Sequence, residues 1–266
     1  MTVLDVHNLR AGYENGFVLE DVSFSLEAGD FTAVLGKNGS GKSTLIKAVQ
    51  GLLKTCEGNV TILGREALSL SRRELAGLVA YVPQFHEPAF DYTVEEVVTM
   101  GRYARRGRLE RLSSSDRDAV EDAMTLARVT HLRSKPAARL SGGEARRVDI
   151  ARALAQDAQI LLLDEPSAHL DICFQVEIYR MLHKLQIERQ TTILAAEHNV
   201  NLAALFSRRL MLLKNGRLEA WGTPVDLITR ETIRDIFEAE VDVRTNPRSG
   251  LPEISLIAGD GEAERP

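Results

Sequence analysis

Cysteine is scarce in this sequence of 266 residues, which contains only Cys56 and Cys173. Two cysteines so far apart form neither a disulfide framework nor the spaced pairs of a metal site, and they are typical of reduced thiols in a cytosolic protein. No apolar run approaches the roughly 20 residues that cross a bilayer. The first nine residues also lack the basic and apolar segments of a signal peptide. These absences predict a chain that does not span a membrane, although it could bind a partner that does.

Positive charge is in slight deficit as well. The chain has 33 Lys and Arg against 38 Asp and Glu, which gives a formal net charge of -5 at pH 7. Such a balance does not favour nucleic acid as a partner, although it leaves room for local basic patches. A chain of this length can bury a core without disulfides or metal ions. We therefore expect one large globular domain or two small ones.

Short apolar runs alternate with helical patterns along most of the chain. The predicted strands cover residues 3–6, 22–26, 31–35, 79–82, 160–163 and 192–196. The predicted helices cover residues 43–53, 94–101, 115–129, 142–154, 172–189, 224–229 and 232–239. Strands that alternate with helices indicate an α/β fold with a parallel sheet.

Three local features refine this outline. Gly12 and Gly16 are predicted to mark turns between the first two strands, and residues 210–220 form a predicted hairpin around Asn215-Gly216. Between about residues 85 and 140 the strand-like runs disappear, which indicates a helical insertion. Residues 259–266 have the composition of a frayed tail.

A glycine-rich loop follows the predicted strand 31–35 and opens the next helix. Its residues are Gly36, Lys37, Asn38, Gly39, Ser40, Gly41, Lys42, Ser43 and Thr44. Glycines let the backbone turn tightly and point N–H groups inward, and the helix N-terminus adds partial positive charge. Lys42 would bring a full charge to the β- and γ-phosphates, and Ser43 would offer a hydroxyl oxygen to Mg²⁺. The loop predicts a site for ATP and Mg²⁺; a glycine turn with an incidental lysine is the alternative.

Two carboxylates, Asp164 and Glu165, follow the buried strand 160–163. In open α/β sheets, ligands gather at the carboxyl ends of the strands. Asp164 is therefore predicted to orient Mg²⁺, and Glu165 to polarise an attacking water as general base. Taken alone, the pair is also compatible with a solvated strand end.

A second candidate anion site lies at the start of the predicted helix 142–154. The residues there are Ser141, Gly142, Gly143 and Glu144, preceded by Leu140. A helix N-terminus with small residues can bind an anion. On its own the segment is equally typical of a helix N-cap with a turn.

The order of these motifs resembles the nucleotide-binding subunit of ABC transporters over nearly the whole chain. Residues 140–144 match the family signature, usually LSGGQ, and residues 167–171 match the D-loop. Tyr13 matches the aromatic residue that stacks on adenine, Gln84 the Q-loop glutamine and His198 the switch histidine. The resemblance implies an ATPase domain over residues 1–240, with an antiparallel β subdomain and a helical subdomain at about residues 85–155. Residues 241–266 would form a C-terminal extension.

The resemblance also implies a mechanism that needs two copies. In this family two domains face each other head to tail, so that each ATP lies between one copy's phosphate loop and the other copy's signature. By this resemblance, Ser141 to Gly143 of a second chain would cap the γ-phosphate, and Glu144 would belong to the same ATP-binding set. Gln84 would contact Mg²⁺ and connect to a membrane partner, and His198 would contact the γ-phosphate. Glu165, His198, Gln84 and Lys42 form the implied catalytic set, and Ser43, Gln84 and Asp164 the implied Mg²⁺ set.

The sequence departs from the family pattern at two positions. Glu144 ends the signature where glutamine is commoner, and Asn199 follows the switch histidine where aspartate is frequent. Working family members carry glutamate in the signature, so we expect activity.

Several segments resemble the importer subgroup for iron–siderophore, haem and cobalamin: residues 92–103, 166–171, 197–204 and 246–252. The resemblance implies a peripheral subunit at the cytoplasmic face of the cell membrane, bound to a multi-span permease that an exported substrate-binding protein supplies. A soluble ATPase for iron–sulfur assembly and an importer of another substrate are the alternatives. A regulator without turnover conflicts with the presence of Glu165 and His198.

Two further features need an interpretation. The basic stretch Arg105, Arg106, Arg108 and Arg111 is either a solvated face or a contact with the membrane subunit and nearby lipid head groups. His169 is not expected to bind metal, because this subunit should never touch the transported substrate.

Overall fold

Twelve strands and nine α-helices make up the part of the chain that the structure describes, residues 1–14, 16–53, 55–84, 91–105, 110–168 and 170–257 of a computed structural model. The strands are β1 Thr2–Tyr13, β2 Gly16–Glu27, β3 Phe31–Leu35, β4 Thr55–Ile62, β5 Arg65–Glu66, β6 Val79–Val82, β7 Ile160–Asp164, β8 Thr192–Ala196, β9 Arg209–Lys214, β10 Arg217–Gly222, β11 Val241–Thr245 and β12 Pro252–Leu256. The helices are α1 Lys42–Val49, α2 Arg72–Leu78, α3 Val94–Thr99, α4 Ser114–Leu126, α5 Gly142–Ala155, α6 Ile172–Arg189, α7 Val200–Phe206, α8 Pro224–Leu227 and α9 Arg230–Phe237.

The central sheet has the strand order β10-β9-β3-β8-β7-β6. Its strands from β9 to β6 are parallel, and β10 is antiparallel to β9. Every residue of β3, β7 and β8 is buried, because α1 and an antiparallel sheet cover one face while α5 and α6 cover the other. The predicted α/β fold with a mainly parallel sheet is confirmed, and all four parallel strands predicted in this sheet are present.

A second, antiparallel sheet has the order β2-β1-β4-β5. Its first two strands are twelve residues each, far longer than the predicted segments. The prediction that Gly12 marks a turn is wrong, since Gly12 lies inside β1 and pairs with Phe17. Glycine is needed there because a Cβ would lie 2.1 Å from the carbonyl oxygen of Gly16. The sequence did not predict β4, whose polar residues around Gly58 carry little strand propensity.

The helical insertion has an apolar core of its own, made by α3, α4 and α5. Capping boxes begin all three helices, at Thr93, Ser113 and Ser141. The first predicted helix of the insertion is shorter than expected, because residues 100–105 continue as a 3-10 helix. In that segment Arg105 donates its Nε–H to the Gln156 carbonyl at 2.8 Å, so part of the basic stretch holds the insertion together. Arg106 and Arg108 lie outside the described residues.

The C-terminal part confirms the predicted hairpin β9–β10, whose turn residues Asn215 and Gly216 both have positive φ. Helices α8 and α9 follow where helices were predicted, and then comes an antiparallel pair that was not predicted, β11–β12. The side chain of Asn201 on α7 holds β12 by bonding both the N–H and the carbonyl of Ile254. The predicted tail, residues 259–266, lies outside the described residues. No helix in the described ranges has the length and apolarity needed to cross a bilayer.

Candidate functional site

The glycine-rich loop connects β3 to α1 at the carboxyl edge of the central sheet. Gly36 has a φ of +155°, and a Cβ on it would lie 2.3 Å from the Leu213 carbonyl oxygen. No other residue type fits there without moving the β9–β10 end of the sheet. The tight start lets the loop turn back over the first turn of α1.

The N-terminus of α1 lacks the side-chain cap that begins α3, α4 and α5. Its N-cap residue is Gly41, which makes no side-chain cap. The first N–H groups of a helix have no acceptor in the helix itself, so those of Lys42, Ser43 and Thr44 are directed at whatever fills the loop. These N–H groups fit the oxygens of a polyphosphate. Ser40 has a buried hydroxyl without a hydrogen-bond partner among the described residues, but it is not among the residues that line the cleft beside the loop.

Lys42 is folded into the loop rather than extended to solvent. It is 5% exposed, and its Nζ donates to the carbonyls of Gly36 at 2.8 Å and Lys37 at 3.1 Å. Burial lowers the pKa of Lys42, while the nearby carboxylates of Glu165, Asp164 and Glu197 act in the opposite direction. The ammonium is thus held over the loop in a low-dielectric site, where it can meet a phosphate with little rearrangement.

Asp164 ends β7 directly opposite the first turn of α1. The hydroxyl of Ser43 donates to its Oδ1 at 2.9 Å. Burial raises the pKa of Asp164, and the bond from Ser43 opposes that rise. No group of three or more His, Cys, Asp or Glu that could hold a metal occurs among the described residues. The oxygens of Ser43 and Asp164 nevertheless fit Mg²⁺, which binds few protein ligands and completes its shell with phosphate and water.

Glu165 follows β7, and it contacts side chains that follow the two neighbouring strands, β6 and β8. Its Oε2 accepts a hydrogen bond from Gln84 Nε2 at 2.5 Å, and its Oε1 contacts His198 Nε2. Its backbone is left-handed, with a φ of +49°, and its N–H donates to the Ala196 carbonyl at 3.0 Å. A glutamate held in this conformation is strained, and such strain persists where the surroundings fix a functional side chain.

These residues border one open cleft of about 590 Å³. Its walls include Asn38, Gly39, Gly41, Lys42, Ser43, Thr44, Gln84, Glu165 and His198. The structure therefore brings together side chains that are far apart in the sequence and that were predicted to act together. They meet because β3, β6, β7 and β8 are parallel and end at the same edge of the sheet.

Two predicted parts of the site lie elsewhere in the chain. Ser141, Gly142 and Gly143 do not line this cleft; Ser141 and Gly142 are exposed at the start of α5. Tyr13 is 45% exposed at the end of β1, with Lys47 Nζ 5.9 Å from the centre of its ring. An exposed aromatic ring beside a lysine of α1 is available for stacking on a base.

Glu144 takes part in the cap of α5. Its N–H donates to Ser141 Oγ at 3.3 Å, and its Oε2 accepts from the Ser141 N–H at 2.8 Å. Lys135 Nζ also donates to Glu144, at 3.1 Å. The backbone bond from Ser141 and then the bond from Lys135 lower the pKa of Glu144 to about 2. Glutamate therefore serves the capping box that glutamine would serve, with an added negative charge.

Sequence reasoning missed the role of Arg146 on α5. Its buried guanidinium donates to the carbonyls of Asp164 at 2.8 Å and Pro166 at 3.1 Å, and also to that of Pro83. Burial lowers the pKa of Arg146, and nearby carboxylates, Asp149 first, oppose this. The side chain thus ties α5 to the ends of β6 and β7. Arg146 lies three residues after Gly143 and four residues before Ile150, a spacing that puts all three on one face of a helix. This spacing was the available signal that Arg146 lies on the buried face.

Comparison with known proteins agrees with this geometry. The sequence model of the ABC transporter family matches residues 19–168. The iron(3+)-hydroxamate import ATP-binding protein FhuC of Bacillus subtilis is 34% identical over 95% of this chain and 94% of its own length. Among solved structures, an inward-facing ABC transporter described as metal-chelate type is 26% identical with a TM-score of 0.84, covering 97% of this chain and 99% of that chain.

A second solved structure is a dimeric bacterial ABC transporter cassette. It is 29% identical with a TM-score of 0.73, and the match covers 83% of this chain and 98% of that chain. The family match spans more than half of the 266 residues, and the relative matches almost end to end. This chain belongs to the ABC transporter family, as an ATP-binding subunit that hydrolyses ATP.

Proposed function

We propose that this chain powers an importer of a metal chelate such as an iron–siderophore, haem or cobalamin. The relative FhuC carries iron(3+)-hydroxamate import in its name, and one structural neighbour is described as of metal-chelate type. The observation that carries the catalytic part is the convergence of Gln84 and His198 on Glu165 beside the phosphate loop. The subgroup resemblance of residues 92–103 and 197–204 points to the same cargo class.

The proposed reaction assigns a task to each of these side chains. Glu165 accepts the proton of the attacking water, and Gln84 and His198 hold its two carboxyl oxygens in place. Lys42 and the loop N–H groups bind the β- and γ-phosphates. Ser43 and Asp164 would hold Mg²⁺ with help from Gln84, and the ion would supply positive charge to the phosphate oxygens.

The cleft is only half of the proposed site. Ser141 and Gly142 are exposed at the start of α5, and the segment Ser141 to Gly143 does not line the cleft, so in this proposal it approaches the γ-phosphate of a second copy arranged head to tail. The dimeric cassette among the structural neighbours supports such a partner. Tyr13 would stack on the adenine. In the cell, the dimer would bind a multi-span permease at the cytoplasmic face of the membrane, and an exported binding protein would deliver the cargo.

The cargo class can be tested in the organism that encodes this chain. Deleting the gene should abolish high-affinity uptake of one radiolabelled chelate among iron–hydroxamate, haem and cobalamin. The unchanged gene should restore uptake, and Glu165→Gln should not, because the general base is lost. Normal uptake of all three chelates, combined with loss of iron–sulfur enzyme activity, would instead favour the soluble assembly ATPase.

Glu165→Gln also tests the assigned base in the purified protein. Hydrolysis should fall by roughly two to four orders of magnitude, the range that general-base catalysis contributes. ATP binding should persist, because the phosphate loop is untouched, and the ATP-bound dimer should accumulate in gel filtration. Turnover near that of the unchanged protein would refute the assignment.

A further inference from the structure

A buried glutamate, Glu197, lies beside the switch histidine and has no role in the mechanism above. It follows the last residue of β8 and is 2% exposed. Its Oε1 accepts a hydrogen bond from Ser167 Oγ at 2.9 Å, and its Oε2 accepts one from the N–H of His198 at 3.1 Å. The N–H of Asn199 adds a longer hydrogen bond to Oε2, at 3.5 Å. A buried carboxyl group costs free energy unless its oxygens are paired, and these three bonds pair both oxygens.

Ser167 belongs to the segment that carries the general base. It is 4% exposed and lies two residues after Glu165. The Ala168 N–H donates to the Glu165 carbonyl at 3.2 Å, so the segment turns back on the base directly at this point. A shift of Ser167 would therefore be transmitted to the backbone of Glu165, which is already strained.

Glu197 and Ser167 thus form a second connection parallel to the contact between Glu165 and His198. The contact between Glu165 and His198 joins the two reacting side chains. The bond between Ser167 and Glu197 joins the chain segments that carry those side chains. The N–H of Glu197 also donates to the Val34 carbonyl at 2.9 Å, which anchors this end of β8 to β3 just before the phosphate loop.

Other charged and polar groups interact with Glu197. Burial lowers the pKa of Lys42 and of Arg146, and the negative charge of Glu197 opposes that shift in both. Tyr179 of α6 also interacts with Glu197; burial raises the pKa of Tyr179 well above the usual range, and Glu197 adds to that rise. The carboxyl group therefore interacts with the cation of the phosphate loop and with the cation that ties α5 to the sheet.

We propose that Glu197 is a positioning residue for hydrolysis, acting through Ser167 on one side and the His198 backbone on the other. It sets the separation of Glu165 and His198 while contacting neither the nucleotide nor the attacking water. This inference rests on the proposed function, in which Glu165 is the base and His198 holds one of its carboxyl oxygens in place. It follows that breaking the link lowers kcat and leaves ATP binding by the phosphate loop unchanged.

The test removes the Ser167 hydroxyl, which donates a hydrogen bond to Glu197. In the purified full-length chain, Ser167→Ala should lower kcat about tenfold, because a small misplacement of catalytic groups is costly. KM should stay within about twofold, since the link contributes nothing to ground-state binding. Ser167→Thr keeps the hydroxyl and should recover most of the activity. Glu197→Gln keeps one acceptor oxygen and should lose less than Ser167→Ala.

Ser207→Ala is the matched control. Ser207 is also a buried serine, at 7% exposed, but its hydroxyl has no hydrogen-bond partner among the described residues. The control should keep both kcat and melting temperature. In a double-mutant cycle, Ser167→Ala and Glu197→Gln together should lose less activity than the product of the two single losses, because both break the same link.

The outcomes separate this inference from the proposed function. If Glu165→Gln abolishes hydrolysis while Ser167→Ala and Glu197→Gln keep normal kcat, the base assignment stands and the positioning role is overturned. A fall in melting temperature and a raised KM, with kcat unchanged, would also overturn it, because that is the signature of a purely structural serine. If Glu165→Gln keeps its turnover, the proposed function itself fails.

Discussion

The helices α1 and α5 both begin with glycine and serine, yet their N-termini are built in opposite ways. At α1 the N-cap is Gly41 with no side-chain cap, and the N–H groups of the first turn are left for a ligand. At α5 Ser141 and Glu144 close a complete capping box, and Lys135 adds a cation beside it. One helix start is therefore an anion site within a single chain, whereas the other is largely satisfied by its own side chains.

The difference assigns different tasks to the two ends. The α1 end must bind phosphate tightly enough to hold ATP on one chain. On the proposed function, the α5 end would add only a serine hydroxyl and close approach over glycine, from across the interface with a second copy. Glu144 would then place a negative charge near the γ-phosphate of the partner's ATP, which glutamine would not. We therefore expect the α1 end to bind ATP and the α5 end to complete the catalytic site.

The largest expected effect comes from breaking the α1 end. Lys42→Ala should reduce ATP binding and hydrolysis by at least about a hundredfold, because a buried ammonium aimed at the phosphates is lost. Lys184→Ala on α6 is the control, since Lys184 is exposed and pairs with Glu188 on the surface, away from the loop. Nucleotide titration and phosphate release measure both variants. Equal behaviour of the two variants would contradict the assigned role of Lys42.

Breaking the α5 end should leave binding intact and stop turnover. Gly142→Asp puts a carboxylate at the exposed first turn, where it suits the helix dipole but repels a γ-phosphate. A Cβ there meets nothing closer than Leu170 at 4.0 Å, so the fold should tolerate the change. We expect ATP affinity of the single chain to be unchanged and hydrolysis to fall at least about tenfold.

Mixing the two inactive variants sharpens this comparison. A head-to-tail dimer of one Lys42→Ala chain and one Gly142→Asp chain contains one site with both halves intact. Random pairing makes half the dimers mixed, so up to about a quarter of the normal activity should return. No recovery in the mixture would argue against a site shared between copies.

Dilution of the protein also tests whether two copies share the catalytic site, with a smaller expected effect. On the proposed function one chain holds only half a site, so turnover per chain should fall as the protein is diluted below its dimerisation constant. ATP binding per chain should fall much less. The measurement is phosphate release against protein concentration at saturating ATP, and a constant turnover per chain would count against the shared site.

The smallest expected effect concerns Glu144. Its pKa in the folded chain is lowered from 4.5 to about 2, so its stabilising bonds are fully present above about pH 4.5 and are lost as the pH falls towards 2. Glu144→Gln keeps the capping box but loses the charge, and should cost less than about 1 kcal/mol at neutral pH. Thermal unfolding of both proteins should therefore differ at pH 7 and converge near pH 2. A difference that stays constant over this range would contradict the role of the charge.

Strand and loop predictions succeeded where one local cause dominates. The mainly apolar runs of β3, β7 and β8 require burial on both faces, and Asn215-Gly216 permits few turns other than that of a hairpin. The prediction failed at β4, where Gly58 and polar neighbours form a strand only because β1 pairs with them. It also failed at Gly12, whose role is a close approach between strands rather than a turn.

The sequence by itself determined the α/β class, the phosphate loop and the order of motifs, because these depend on residue types close together in the chain. Only the tertiary structure decided which side chains meet. The parallel ends of β6, β7 and β8 bring Gln84 and His198 onto Glu165, and burial turns Arg146 and Glu197 into connections between segments. Such contacts depend on strand order and on what excludes water, and neither property can be obtained from residues considered one segment at a time.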